Sequence, residues 1–277
     1  MVKNEIILLL IALAVSCAPR VDWRSVNMDG HRSGVKSLTA ENAAEGLGHF
    51  TDSTYVMPSG ATFAKDSPAA EVASALMSVQ PQMAALKEVV GHSTHMLMND
   101  RDKADLPLGN LFADVLRDYG TRFFGVPMDL AVTNFGGIRA PLPEGAITLE
   151  DVSSMFPFKN YVVYCKMRGT QLQALFEQLA GTKAFMATSG AKVVVKAHKL
   201  ESVLVGGEPI DPSRLYNVTT IDFLLDGGDN MKIGAMSEEV QLTHVLLKEV
   251  MLDYVKSCEA AGIVIDGKAD GRVIMED

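Results

Sequence analysis

The stretch Val132-Thr133-Asn134-Phe135-Gly136-Gly137-Ile138-Arg139 decides how the rest of the chain is read. It ends the apolar run 129–133 in two adjacent glycines and then presents an arginine. Paired glycines let the backbone come close to a bound group, because no side chain stands between ligand and peptide N–H. An arginine directly after them offers a planar, permanently charged fork suited to phosphate or carboxylate. The same letters also spell an ordinary strand exit with a surface arginine. The rest of the chain separates the two.

Upstream of that stretch, Leu108, Leu111, Phe112, Val115, Leu116 and Tyr119 keep helical spacing, with Gly120 closing the helix. Further back, Asp66-Ser67-Pro68 opens another helix, with Ser67 as cap and proline in the first turn. Val72, Leu76 and Val79 hold its period until Pro81, and Met83, Leu86 and Val90 resume it. That predicts a kinked or broken helix ending at Gly91. Residues 92–98 alternate like a strand. Downstream, 147–155 reads as a short connection leading into Phe156-Pro157-Phe158-Lys159-Asn160, and 161–168 is β-rich. Thr170-Gln171-Leu172-Gln173 has the spelling of a capping box and starts a helix that ends at Gly181. Strands follow at 192–197, 202–205 and 215–220. A second glycine turn spans Asp222 to Asn230, and Ser237-Glu238-Glu239 starts a long helix to about Ser257. Short strands at 263–265 and 272–275 close the chain. Strands and helices mixed without strict βαβ alternation predict an α+β domain.

The N-terminal part is read separately. Lys3 precedes the apolar run 6–15, which is short for a bilayer span and right for a signal-peptide core. Ser16 before Cys17 resembles the lipobox of bacterial lipoproteins. Residues 1–16 are therefore expected to be a signal peptide and Cys17 the acylated first residue. A plain signal peptide with an incidental cysteine is the alternative. Either way the expectation is export, to the periplasm or cell surface. Residues 17–65 hold a hairpin signal around Met28-Asp29-Gly30-His31 and, from 36 to 65, an irregular connection. Of the three cysteines, Cys165 and Cys258 remain, either as a disulfide or as two separate buried thiols. The 277 residues, 48% hydrophobic, suffice for one large domain or two small ones. A net charge of −9 without a basic block argues against nucleic acid or anionic lipid as the main partner.

Five motifs in order resemble one family, the C-terminal domain of 5′-nucleotidases and UDP-sugar hydrolases. They are Leu108-Gly109-Asn110-Leu111-Phe112-Ala113-Asp114, Asn134-Phe135-Gly136-Gly137-Ile138-Arg139, Phe156-Pro157-Phe158-Lys159-Asn160, Ser189-Gly190, and Thr219-Thr220-Ile221-Asp222-Phe223 with Gly227-Gly228-Asp229. The resemblance covers residues 66–277 and implies helices outside two packed sheets. It implies that Phe158 and Phe223 sandwich a nucleobase, that Asn160 bonds the base edge, and that backbone at Gly190 approaches the base. It assigns Asp229 to ribose hydroxyls and Arg139 to phosphate, with Asn134 as a polar neighbour and Gly136 and Gly137 in the turn. Taken as residues alone, each aromatic could equally be core, and Phe156 is read as core. Family members carry further arginines before the Leu-Gly-Asn helix. Here Ala104 and Asp105 align with that Arg-Glu pair, and Arg101 is the nearby candidate.

In that family hydrolysis belongs to a separate metallophosphatase domain, whose two metal ions sit in D-x-H, G-D, G-N-H-[DE] and G-H-x-H motifs. Here Asp29-Gly30-His31 has the first spelling, but in a hairpin turn. Gly91-His92-Ser93-Thr94-His95 is one residue too long for the last, and no G-N-H-[DE] occurs. No G-x-S-x-G elbow or P-loop is present. The expectation is therefore a nucleotide- or nucleoside-recognition half of a split 5′-nucleotidase. No cofactor is expected in this chain, and a separate metallophosphatase chain is expected to carry the divalent metals. The alternative is a lipid-anchored binding protein without catalysis.

Overall fold

The structure, a computed structural model, describes residues 43–99, 105–182 and 185–276, with backbone only at 43, 44, 81 and 82. The signal run, Cys17, the hairpin at 21–35, Arg101 and Ala104 lie outside the described residues. The chain divides into two compact units, Met1–Met83 and Ala84–Asp277.

In the first unit, helix α1 (Ala43–Gly46) precedes an antiparallel meander of β1 (His49–Phe50), β2 (Thr54–Val56) and β3 (Thr62–Ala64). The irregular connection expected over 36–65 is thus corrected in its described part. Strands of two or three residues are too short for alternation to register in the sequence. Tyr55 fixes the meander by donating its hydroxyl to the Leu47 carbonyl at 2.6 Å. Helix α2 (Pro68–Leu86) starts here, and Ser67 Oγ accepts from the Ala70 N–H at 3.3 Å. Its core-facing side is Ala70, Ala73 and Met77 against Tyr55, rather than the Val72–Leu76–Val79 stripe. The helix runs unbroken through position 81, since a proline removes one helical bond and the flanking turns keep theirs.

The second unit carries the remaining elements. They are β4 (Val89–Ser93), α3 (Pro107–Phe124), β5 (Leu130–Thr133), β6 (Gly145–Thr148), α4 (Leu149–Met155), β7 (Tyr161–Arg168) and α5 (Gly169–Ala180). Then follow β8 (Ala187–Ser189), β9 (Ala191–Lys196), β10 (Lys199–Val205), β11 (Glu208–Pro209), β12 (Leu215–Ile221), β13 (Glu239–Leu246), α6 (Leu247–Ala260) and β14 (Val273–Glu276). One mixed sheet has the order β13-β7-β12-β5-β8, a second β11-β10-β9-β14, and β4 pairs with β6. Strand β7 is buried over Val162, Val163, Tyr164 and Cys165, so both faces of the first sheet are covered. One core joins Met167 and Val218 of that sheet to Val193 and Val203 of the other, with Leu172 and Phe176 of α5. The fold is α+β with packed sheets and helices against them, as expected.

Several element boundaries differ from the sequence reading. Gly91 lies inside β4 rather than at a helix end. A Cβ there would stand 2.5 Å from Val255 Cγ1 of α6, so the glycine is a contact surface. Gly120 is likewise inside α3, which ends at Gly125 with φ 69°. At Gly120 a Cβ would meet Thr219 Oγ1 at 2.1 Å, so helix and sheet close on a missing side chain. The connection expected at 147–155 is β6 followed by α4, capped by Thr148 and Asp151 in a reciprocal box. Thr170 caps nothing, because α5 already starts at Gly169 directly after β7. The long helix expected from 237 is an edge strand first. Residues 239–242 pair with β7, Thr243 donates to the Val162 carbonyl, and only then does α6 begin. At 263–265 there is a single bridge, Ser93 to Ile265, instead of a strand. Cys165 and Cys258 are both buried and both free, the second of the two alternatives.

This topology gathers three loops at one sheet edge. Strand β12 runs parallel to β5 and antiparallel to β7, with Ile221 paired to Val162. The residues that follow β5 and β12 therefore lie beside those that precede β7. These are the Asn134–Arg139, Asp222–Asn230 and Phe158–Asn160 segments.

Candidate functional site

Each of the three loops is held from below. The first is the short 3₁₀ turn Phe135–Gly137. Phe135 is buried against α3, where Gly109 leaves room for its ring: a Cβ there would stand 2.2 Å from Phe135 Cε1. That contact explains why Leu108-Gly109-Asn110 accompanies the glycine turn in sequence. Asn99 bridges the turn from outside, donating its amide to Phe135 O at 3.0 Å and Ile138 O at 2.6 Å. The second loop is set by Asp222, whose Oδ1 accepts from the Tyr161 N–H at 3.0 Å and the Phe223 N–H at 2.9 Å. In the third loop, Asn160 O accepts from the Leu247 N–H at 3.1 Å.

A cavity of about 360 Å³ opens where the loops meet, lined by Asn134, Gly136, Gly137, Arg139, Phe158, Asn160, Phe223 and Asp229. Two phenylalanines in it are unusually open, Phe158 at 48% and Phe223 at 44% exposure. Phe156 of the same motif is instead buried, 4.5 Å from the Phe112 ring, as its reading as core expects. Phe223 is steadied from behind by Gly228, where a Cβ would come within 2.7 Å of its ring. Asp229 is presented by a tight turn in which Gly227 has φ 106°, Asp229 φ 49° and Asn230 φ 61°. Asn134, buried to 5% exposure, donates to Asp229 Oδ2 at 2.6 Å. Its own Oδ1 is buried without a partner among the described residues. The Arg139 guanidinium stands 5.7 Å from the centre of the Phe158 ring, at cation–π range. The lining thus combines two aromatic rings with polar side chains, a cation and a carboxylate.

The structure therefore brings together Asn134, Gly136, Gly137, Arg139, Phe158, Asn160, Phe223 and Asp229. Gly190 does not line this cavity and is corrected. It lies at the opposite end of β5, with φ 81°, where a Cβ would meet the Asp129 carbonyl at 2.1 Å. Its glycine serves a close backbone crossing. Asn99 and the packing role of Gly228 escaped the sequence reading. Gly228 sits inside a quoted motif, but Asn99 carries no local pattern and acts 36 residues away. Among the described residues no group of three or more His, Cys, Asp and Glu side chains converges to hold a metal ion. His92 pairs with Glu259 and His95 with Asp266, both at the surface. Among the described residues nothing fits a two-metal centre.

The sequence profile of the 5′-nucleotidase C-terminal domain matches residues 89–236. The chain belongs to the 5′-nucleotidase C-terminal domain family. Among relatives, it is 31% identical to protein UshA of Escherichia coli K12 over 150 residues, 53% of this chain and 27% of UshA. It is 30% identical to the cell wall protein Lmo0130 of Listeria monocytogenes over 206 residues, 69% of this chain and 26% of that one. In fold it is similar to a 5′-nucleotidase precursor from Thermus thermophilus. The TM-score is 0.65 at 24% identity, covering 81% of this chain and 49% of that one. It is also similar to the NAD nucleotidase of Haemophilus influenzae, with a TM-score of 0.58 at 18% identity, covering 80% and 48%. The chain thus spans about a quarter to a third of the curated relatives and half of the solved ones. Among the described residues no helix is long and apolar enough to cross a membrane.

Proposed function

We propose that this domain recognises a nucleotide or nucleoside in the cavity between Phe158 and Phe223, as the substrate-binding half of a 5′-nucleotidase. One observation carries the reading: eight residues from three distant motifs line a single cavity, with both phenylalanines half open to it. Half-exposed rings forgo much of the burial that folding offers a phenylalanine, whereas a flat heterocycle between them gains stacking of roughly 1–3 kcal/mol per base. Asp229 accepts from the ribose hydroxyls, since a carboxylate can take two hydrogen bonds. Asn160 reads the base edge, and Arg139 receives the phosphate. A metallophosphatase on a separate chain supplies the divalent metals and the activated water. Remote binding energy from base and sugar then positions the phosphate for it. Cys17 anchors the exported protein through lipid.

The test is calorimetry with adenosine and AMP on the wild type and on Phe223→Ala, followed by phosphate release from AMP with Mn2+. The chain alone is expected to bind and not to hydrolyse, with hydrolysis appearing when a metallophosphatase chain is added. Turnover by the isolated chain at enzymatic rates, or absence of binding, contradicts the proposal. A second reading, a binding protein without catalysis, is favoured by Ala104 and Asp105 standing where the family keeps Arg-Glu. It predicts tight adenosine binding that a 5′-phosphate does not improve.

A further inference from the structure

We propose that Asn99 is the positioning residue for Arg139, and through it sets how strongly this site prefers a 5′-phosphate to a bare nucleoside. The inference rests on the reading of the cleft given above. Asn99 itself does not line the cavity. It stands two residues after Leu97, which is pinned to Leu142 by reciprocal backbone bonds of 2.9 and 3.0 Å, so its backbone starts from a fixed point. From there one amide group donates to both ends of the glycine turn, Phe135 O and Ile138 O.

The second of these bonds matters most. The peptide between Ile138 and Arg139 has its carbonyl held by Asn99 at 2.6 Å and its N–H held by the Met155 carbonyl at 2.9 Å. With both polar atoms of that peptide bonded, its plane cannot rotate, and the direction in which Arg139 leaves the backbone is set. Gly136 and Gly137 would otherwise let the turn flex, because glycine has the widest conformational freedom. Among the described residues the guanidinium itself is only loosely held, by a 3.4 Å contact to Gly136 O and by the Phe158 ring. Its aim is therefore decided at the backbone, where Asn99 acts.

Removing the amide should loosen the aim of the arginine while leaving the aromatic slot intact. In Asn99→Ala, AMP affinity is expected to fall about tenfold while adenosine affinity stays within about twofold. Asn99→Asp keeps the shape, loses both donors and sets a carboxylate against two carbonyls, and is expected to fall at least as far. Arg139→Ala should lose the same AMP preference, and Asn99→Ala/Arg139→Ala should lose no more than Arg139→Ala alone. Melting curves on each variant and the adenosine affinity separate this from simple unfolding, which would weaken both ligands alike. Equal losses for both ligands, additive losses in the double variant, or unchanged AMP binding in Asn99→Ala overturn the inference. If the wild type binds neither ligand, or Phe223→Ala binds as the wild type does, the reading of the cleft fails first and takes this one with it.

Discussion

Asn134 hands its side-chain amide to Asp229 across 2.6 Å, tying together two loops 95 residues apart in the chain. The bond fixes one oxygen of a carboxylate that lines the cavity. Asn134→Leu keeps the bulk and deletes the bond. Because Asp229 is exposed, the stability cost should stay near 0.5–1.5 kcal/mol. Adenosine affinity should fall by up to about tenfold, read by calorimetry beside a melting curve. A variant that binds as the wild type does removes the pair from the recognition machinery.

The two phenylalanines of Phe156-Pro157-Phe158 should answer alanine substitution in opposite ways. Phe156 is 3% exposed and packs on Phe112, so Phe156→Ala should cost about 3–5 kcal/mol of stability. Phe158→Ala should leave the unfolding midpoint nearly unchanged and weaken base binding by roughly 1–3 kcal/mol. Urea titrations and calorimetry on the same preparations check both. Equal destabilisation by the two would mean that Phe158 is core.

Gly120→Ala inserts a methyl where Thr219 Oγ1 already stands, 2.1 Å from the new carbon. Thr219 and Met128, the two side chains it would meet, are both buried, so helix α3 must shift from the sheet at a cost of about 1–3 kcal/mol. Gly125→Ala meets no atom within 4 Å, but its φ of 69° costs about 1 kcal/mol. Thermal melts should rank the first as the more damaging. The reverse order would contradict the tight helix–sheet contact.

The acid limb of stability should include Asp270. Hydrogen bonds from Arg272 hold its carboxyl below the usual carboxylate range. Burial works against the Arg272 charge, but bonds from its guanidinium to Asp270 and Asp114 outweigh burial and raise its pKa. A lowered carboxyl stabilises the fold above its unfolded pKa of about 4, and that contribution fades as pH falls through the lowered value. Asp270→Asn should therefore be less stable than wild type at pH 6 and approach it by about pH 2. The effect is modest, since half of the Asp270 side chain faces water. A difference that persists undiminished at low pH would point to packing.

The alkaline limb should report Cys165, whose thiol burial pushes up to about 11. The raised value means that its contribution is intact below the unfolded thiol pKa, about 8.5, and is lost as pH rises toward 11. Cys165→Val should flatten the loss of stability above pH 9. The native thiol should also resist alkylation at pH 8, because only the thiolate reacts. Rapid labelling of the folded protein would contradict this.

Much of the cleft was legible through the order of its short runs, which together resemble one family: two glycines and an arginine, two phenylalanines round a proline, two glycines and an aspartate. Taken singly, none of these runs separated a site from a turn or a core. The strand and helix cores were legible on their own, since 161–168 and 108–119 each carry a full period. What failed were elements whose identity is settled across the fold. Residues 239–246 look like the acidic start of a helix, yet β7 offers an unpaired edge and claims them as a strand. Gly91 and Gly120 look like helix stops and Gly190 like a backbone approach to a base, yet each marks a place where another segment of the fold passes closely. Asn99 looks like any loop residue, and its work is done on carbonyls 36 and 39 positions away.

The left-handed backbone at Asp229 and Asn230 sets a conflict between comfort and recognition. Side chains in that conformation cost roughly 1–2 kcal/mol that glycine would not. Replacing Asp229 by glycine would thus relax the loop and at the same stroke remove the carboxylate it displays. That relief is cancelled by a stranded donor: the buried Asn134 amide would lose its acceptor at a cost of about 1–3 kcal/mol. Screens for thermal robustness alone should therefore not enrich the change, and the strained aspartate is retained by its neighbour as well as by any ligand.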